Sequence, residues 1–267
     1  MMSETNTAVE APAIPDRRKM LLEARVVSDV ARMTLPLLGA SLRRARGETD
    51  RRVIVVPGFG ADDRYTRPLR HFLKSHGHHA EGWGLGRNMA GLNLKHRRED
   101  IAPSWGLDQD RPYNGEGAVP YLADRFAERV LERAEDLGGP VTLIGWSLGG
   151  YLAREVARDH PASVASVITL GSPIIGGPKY TAAAKVFKSR GLDLDWIEEG
   201  IRDREATPIS QPITAIYSKS DGIVGPGAAI DHHSENVRHI EVDAAHIGLV
   251  FNPTVWRHVL ESLQQDD

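Results

Sequence analysis

The stretch that most constrains this chain is Val141-Thr142-Leu143-Ile144-Gly145-Trp146-Ser147-Leu148-Gly149-Gly150. An apolar run of strand type enters Gly145, a serine follows two residues later, and a helical pattern starting at Leu148 runs to Asp159 before His160-Pro161 stops it. Strand, sharp turn and helix in that order make the elbow that presents a nucleophilic serine. The turn must hold Ser147 in a strained backbone conformation so that its hydroxyl projects from the end of a sheet. Glycines two residues either side let strand and helix pass that closely. Ser147 also lies at the positive end of the helix, where N–H groups without intrahelical partners can meet developing negative charge. The bland alternative, a Gly-rich turn with an incidental serine, does not account for the strand before it and the helix after it.

The rest of the chain supplies a body for such an elbow. Arg52 to Val56 is a short β-branched strand that runs into Pro57-Gly58-Phe59-Gly60-Ala61-Asp62-Asp63. Helix signals follow from Arg64 to Ser75, then a second short strand around His79 to Trp83. Gly84 to Gly117 is the longest irregular region, of the length that usually marks a functional cover or a mobile segment. Ala118 to Leu137 reads as an amphipathic helix with Leu122, Phe126, Val130, Leu131 and Ala134 inward. After the elbow helix come strands at Val164 to Leu170, Ile213 to Tyr217 and Arg238 to Val242, then a helix from Thr254 to Leu263. The connection from Leu170 to Ile213 is longer than a crossover requires, and its segments could form two short helices, which reads as a small cap at about 174–210. Strands alternating with helices give an α/β class, a mainly parallel sheet with helices on both faces and ligands at the carboxyl ends of the strands.

Residues 1 to about 14 are polar, with Ala and Pro, and are expected to be disordered. From Arg17 to Arg46 the pattern turns helical, with Met20, Leu21, Ala24, Val27, Val30, Ala31, Leu35, Leu38 and Leu42 near one side and Pro36 placed to kink it. Its basic ends suit a peripheral contact with an anionic membrane surface. A helix packed on the domain, or one that associates with a second copy of the chain, explains the same pattern and is favoured because the charges are few. The division expected is thus an N-terminal arm over 1–46 and one domain over 47–267. Across 267 residues the net charge is −3, which gives no electrostatic case for nucleic acid as a partner. With no cysteine, thiol nucleophiles, disulfides and thiolate metal sites are excluded together. The opening residues carry no apolar core of a secretory signal and no apolar run is long enough to cross a bilayer, so a cytoplasmic protein is expected.

A serine hydroxyl is a poor nucleophile until a neighbouring base takes its proton, so Ser147 demands a histidine. Of 11 histidines, His246 lies just beyond the last strand, where a turn brings it to the sheet edge that holds Ser147. The base needs a carboxylate to fix its tautomer, and Asp221 follows the penultimate strand by a few residues. The chain order Ser, Asp, His is the one that follows an elbow of this kind. Asp243, three residues before His246, is a competing carboxylate, but a residue on the last strand cannot easily turn back to the histidine that follows it.

From about Arg52 to the C-terminus the chain resembles an α/β-hydrolase, and specifically the serine esterases and lipases of that superfamily. The resemblance is carried by Pro57-Gly58-Phe59-Gly60, the Gly145-Trp146-Ser147-Leu148-Gly149 elbow, Gly171-Ser172-Pro173, Asp221 in its Ser-Asp-Gly-Ile-Val setting, and His246. It implies a nucleophile at Ser147, an acid at Asp221, a base at His246 and oxyanion donors from the backbone N–H of Leu148 and Phe59. It places the cap between the sixth and seventh strands as the family counts them. Many relatives have His-Gly where this chain has Pro57-Gly58; the donor role is played by backbone, so the change does not remove it. The implied activity is hydrolysis of a small-molecule carboxylic ester through an acyl-enzyme, with no cofactor and no metal. A thioesterase or acyltransferase would share the same residues, and a non-catalytic binding protein on this scaffold is the reading from another class.

Trp146, Phe187 and Trp196 are the candidate substrate contacts, the last two because an aromatic cap suits an apolar acyl group, although they could equally pack the cap onto the body. His71, His76, His78 and His79 are read as a solvated surface rather than a zinc cluster, since no carboxylate accompanies them, and His232-His233 likewise. Asp62-Asp63 is read as the cap of the helix near Arg64. Gly58-Phe59-Gly60 with Gly82, Gly84 and Gly86 makes no dinucleotide fingerprint.

Overall fold

In the computed structural model, residues 11–26, 28, 33, 51–107, 112–113 and 115–265 are described. Six strands, β1 (Arg52–Val56), β2 (His79–Gly82), β3 (Val141–Trp146), β4 (Val164–Leu170), β5 (Ile213–Ser218) and β6 (Val237–Val242), form one sheet in the order β2-β1-β3-β4-β5-β6. Every neighbouring pair is parallel. Helices whose bounds lie among the described residues are α1 (Arg17–Met20), α2 (Asp63–Ser75), α3 (Ala118–Asp136), α4 (Leu148–Asp159), α5 (Ala184–Ser189), α6 (Leu194–Arg204), α7 (Pro226–Ala229) and α8 (Pro253–Gln265). This is the α/β class expected from the alternation of strand and helix patterns.

The two-residue period of a strand sorts its side chains between two cores. Val53 and Val55 of β1, with Ile144 and Trp146 of β3, pack against Leu69, Phe72 and Leu73 of α2 and Val255, Trp256 and Val259 of α8. Ile54 and Val56, with Val141 and Leu143, face the opposite way onto Leu122, Phe126 and Val130 of α3 and Leu152 and Val156 of α4. Strands covered on both faces therefore read as unbroken apolar runs. The outer strand β6 instead exposes Arg238, His239 and Glu241, and charge along an edge discourages pairing with another chain.

The strand order also fixes where a ligand can sit. From β1 the chain moves outward to β2 and then returns to β3 on the other side of β1, so the helices after β1 and β3 lie on opposite faces. The loops leaving the carboxyl ends of these two neighbours part there and leave a crevice. The loop after β1 is Pro57–Gly60 and the turn after β3 holds Ser147.

Several details differ from the sequence reading. Leu131 is 39% exposed, because one residue beyond Val130 is a rotation of about 100° around the helix and carries it off the buried face. His78 is buried rather than solvated, with its ring Nδ1 taking the N–H of Arg51, whereas His71, His79, His232 and His233 are exposed as read. The 174–210 segment holds a 3-10 turn, α5 and α6, and in this six-stranded sheet it joins β4 to β5. The region after Trp83 contains two 3-10 turns, Arg98–Asp100 and Pro103–Trp105. In the N-terminal arm, α1 passes into a 3-10 turn, Leu21–Arg25, that packs on the domain; residues 1–10 and Val27, Val30, Ala31, Leu35, Leu38 and Leu42 lie outside the described residues. No described helix is long and apolar enough to cross a membrane.

Candidate active site

The turn after β3 is built by exclusion of side chains. Ser147 adopts φ 54° and ψ −125°, a conformation that costs a non-glycine residue on the order of 1–3 kcal/mol and persists only where surroundings over-determine it. They do so here. The Ser147 N–H donates to the carbonyl of Leu170 (2.9 Å), and the Gly150 N–H closes the turn on the Ser147 carbonyl (2.9 Å). A Cβ at Gly145 would strike the backbone of Gly149 and Gly150, and one at Gly149 would strike the carbonyls of Val56 and Pro57. Strand and helix could not cross at this distance with any larger residue.

His246 and Asp221 reach Ser147 from the ends of β6 and β5. The His246 Nε2 lies 3.0 Å from the Ser147 Oγ, and its Nδ1 lies 2.7 Å from Asp221 Oδ2. A carboxylate can only accept, so Nδ1 carries the proton and Nε2 is left as the acceptor facing the serine hydroxyl. Asp221 Oδ1 takes the N–H groups of Ile223 (2.8 Å) and Val224 (2.7 Å), which fixes the carboxylate plane. Asp221 and His246 are buried, while Ser147 is half-buried and opens on a cavity. Asp243, the competing carboxylate, points elsewhere: it takes both guanidinium nitrogens of Arg25 and the hydroxyl of Ser220.

Gly171, at the end of β4, has φ 56° and sits beneath this pair. A Cβ there would press on Leu249, come 3.0 Å from Asp221 Oδ2 and 3.3 Å from His246 Nδ1, so the position requires glycine both for its backbone and for the room it leaves.

The loop after β1 is held by Asn88, a fully buried residue absent from the sequence reading. Its side-chain N–H2 donates to the Pro57 carbonyl (2.8 Å), its carbonyl accepts from Gly60 (2.6 Å), and its Oδ1 accepts from Ala90 (3.1 Å). Nothing in the surrounding Arg87-Asn88-Met89-Ala90 marks it, because its partners are backbone atoms some thirty residues away. Asp62 accepts from the Arg64 N–H as the α2 cap, and Asp63 takes the N–H groups of Trp83 (3.0 Å) and Gly84 (3.1 Å).

The cavity above Ser147 encloses about 950 Å³, in the range of ligand sites. Phe59, Leu148 and His246 line it together with Ser147, and as the first residue of α4 Leu148 has an N–H with no intrahelical acceptor. Phe187 and Trp196 also line it, with the Phe187 ring edge-on to Phe59 at 5.4 Å. Trp146 also borders it, but its ring is buried in the core and its indole N–H donates to the His246 carbonyl (3.0 Å). Its place is beneath the histidine. Tyr151 is a further lining residue, and burial pushes its phenol well above the ordinary range, so it stays a neutral hydroxyl. Among the described residues no cluster of His, Asp and Glu is arranged to hold a metal ion.

Behind the elbow, α4 carries Arg154, Glu155 and Arg158 into a buried network. Arg154 pairs with Asp231 and with Glu205 (3.3 Å), Arg158 with Glu155 (3.3 Å) and Glu205 (3.1 Å), and Arg204 of α6 with Glu155 (2.7 Å) and Asp159 (2.9 Å). Burial works against the charge on Asp231, yet Arg154 and the N–H groups of Ser234 and His233 hold its carboxyl well below the usual carboxylate range. Arg204 also stacks on Trp105 at 4.2 Å and donates to the Ser104 carbonyl (3.0 Å), so it links α6 and α4 to the 3-10 turn Pro103–Trp105.

A family model described as the alpha/beta hydrolase family matches residues 53–217, more than half of the chain. The chain belongs to that family. Over 104 residues, 38% of its length, this α/β hydrolase is 32% identical to a pimeloyl-(acyl-carrier protein) methyl ester esterase from Citrobacter koseri. Over 129 residues, 48% of its length, it is 27% identical to a biotin biosynthesis bifunctional protein from Teredinibacter turnerae. The aligned stretches span 36% and 18% of those relatives' own lengths. Solved structures of similar fold include a monoacylglycerol lipase from Paleococcus ferrophilus (TM-score 0.51, 15% identity, 82% of this chain and 97% of that one). A hydrolase from Oleispira antarctica is another (TM-score 0.52, 11% identity, 84% and 96%). At such identities the likeness is one of fold.

Proposed function

We propose that this α/β hydrolase cleaves carboxylic esters through a covalent acyl-enzyme, with Ser147 as nucleophile, His246 as general base and acid, and Asp221 as the group that orients the imidazole. The observation that carries this reading is the unbroken relay of 3.0 Å and 2.7 Å from Ser147 through His246 to Asp221, opening on a largely apolar cavity. In the first half of the reaction the Ser147 Oγ bonds to the ester carbonyl carbon as His246 Nε2 takes its proton. The oxyanion is met by the N–H groups of Leu148 and Phe59. Collapse breaks the bond to the alcohol oxygen, which leaves with the proton from His246. Water then enters, gives its proton to His246 and frees the acid, returning Ser147 to its hydroxyl form. These steps call for no metal or organic cofactor.

The substrate this reading favours is a small ester with an apolar acyl group. Phe59, Leu107, Phe187, Trp196, Ile197 and Ile201 line the cavity on which the serine opens, and on this reading the 174–210 segment is its cap. The partial identity to an enzyme named for a methyl ester supports the ester class.

Steady-state hydrolysis of p-nitrophenyl esters tests the assignment. Ser147→Ala is expected to lose about four to six decades of turnover while retaining its circular dichroism spectrum. Wild-type turnover by that folded variant contradicts the reading, and a series of acyl lengths with matched thioesters then ranks substrates.

A further inference from the structure

The N-terminal arm lies outside the matched family region, 53–217, and yet one of its side chains reaches the backbone of both loops that carry the acid and the base. Glu23, in the 3-10 turn Leu21–Arg25, accepts through Oε1 from the N–H of Gly222 (2.9 Å) and from the N–H of His246 itself (2.9 Å). Through Oε2 it accepts from the N–H of Ile247 (3.2 Å). Gly222 directly follows Asp221, and His246 caps the 3-10 turn Ile247–Val250. One carboxylate thus bridges two loops that also meet through the sheet, the Asp221–His246 contact, the Ser220 hydroxyl on Asp243 (2.7 Å) and the Ala244 N–H on the Ser218 hydroxyl (3.2 Å). Hydrogen bonds with an ionised acceptor are about twice as strong as neutral ones, so this clamp is stiff for its size.

Neighbouring contacts deliver Glu23 to the place. Lys19 Nζ donates to the Lys219 carbonyl (2.9 Å), and Arg25 grips Asp243 with two bonds of 3.1 and 2.9 Å. The arm's backbone at Lys19 runs so close to Gly222 that a Cβ there would strike the Lys19 carbonyl. All of these contacts land on the two loops after β5 and β6.

We propose that Glu23 is a positioning residue that sets the spacing of the Asp221 and His246 loops and thereby aims His246 Nε2 at Ser147. This rests on the reading of Ser147, His246 and Asp221 given above. Glu23 touches no reacting atom; it acts through the backbone on which the imidazole and its acceptor are mounted. The arm is accordingly part of the working enzyme.

Full-length Glu23→Ala and Glu23→Gln variants test this with ester kinetics, the rate of covalent labelling by a fluorophosphonate probe, and thermal melts. Misaimed catalytic groups cost one to two decades, so Glu23→Ala is expected to lose about thirtyfold in kcat and in labelling rate with KM within about twofold of wild type. Glu23→Gln keeps a carbonyl oxygen for the two bonds now made to Oε1 and is expected to recover part of that loss, ending about three- to tenfold below wild type. The downfield proton resonance of His246 Nδ1 should broaden or shift in the alanine variant and return in the glutamine one. If Glu23→Ala does not fold, the folded Glu23→Gln decides: slowed labelling supports the proposal, and wild-type kcat and labelling overturn it. A folded Glu23→Ala with wild-type kcat and labelling rate likewise overturns it while leaving the Ser147 reading standing. A wild-type protein that the probe leaves unlabelled removes the foundation for both.

Discussion

At the scale of single residues, the geometry around Ser147 depends on what is missing as much as on what is present. Gly171 shows this most sharply. Alanine there would have to adopt the left-handed region, at roughly 1–2 kcal/mol, and would press its methyl on Asp221 and His246. Gly171→Ala is therefore expected to lower kcat about a hundredfold, the usual penalty for an ångström-scale misplacement, with a smaller effect on KM; ester kinetics on the purified variant check it. Ser147, Asp221 and His246 were legible in the sequence because each follows a strand end and their chain order is restrictive. The structure brings these three together at hydrogen-bond distance. Asn88 and Glu23 were not legible, since both act on backbone N–H and carbonyl groups that any residue possesses, and a single chain carries no pattern for such partners. Trp146 was legible as aromatic but not in its place, because only the fold shows its N–H committed to the His246 carbonyl.

At the scale of elements, the helix that follows Ser147 is anchored by charge as well as by its apolar face. Arg154 and Asp231 are both buried, and a buried pair that loses one partner leaves an uncompensated charge. Asp231→Ala should accordingly destabilise the protein by about 3–5 kcal/mol, read by urea unfolding, whereas replacing Arg154 and Asp231 together with apolar residues should cost much less. The sign of the pH dependence follows from the depressed Asp231 carboxyl. Its folded pKa lies below the unfolded value of about 3.9, so its contribution is complete above about pH 4 and disappears as the pH falls through the folded value. Asp231→Asn is thus expected to flatten the decline of stability below pH 4, and an unchanged acid slope would contradict this. The strands and the elbow helix could be placed from period and punctuation alone, as β1, β4 and α4 illustrate by their bounds. The ion network could not, because its members, Arg154, Arg204, Glu205 and Asp231, are dispersed in sequence and resemble ordinary surface charge until folding buries them.

At the scale of the whole molecule, a parallel sheet whose order reverses between β1 and β3 gathers the loop after β1, the Ser147 turn and the two loops after β5 and β6 at one edge. Residues of the 174–210 segment and of the loop after Trp83 line the cavity at that edge, and Arg204 links the two through Trp105 and Ser104 and holds both to α4 through Glu155. The architecture followed from alternating apolar runs and helical patterns, and the two short helices α5 and α6 from the length of the connection before β5; the 3-10 turns did not, since they are too short to announce themselves by period. The central claim is that this assembly makes one serine hydroxyl reactive. It is tested most directly by incubating the wild-type protein with a fluorophosphonate probe and mapping the adduct by peptide mass. The account predicts a single adduct on Ser147 that is lost in Ser147→Ala and formed at least a hundredfold more slowly, as an order of magnitude, in His246→Ala. No adduct on the folded wild-type protein, or an adduct on Ser147 formed as fast without His246, would contradict it.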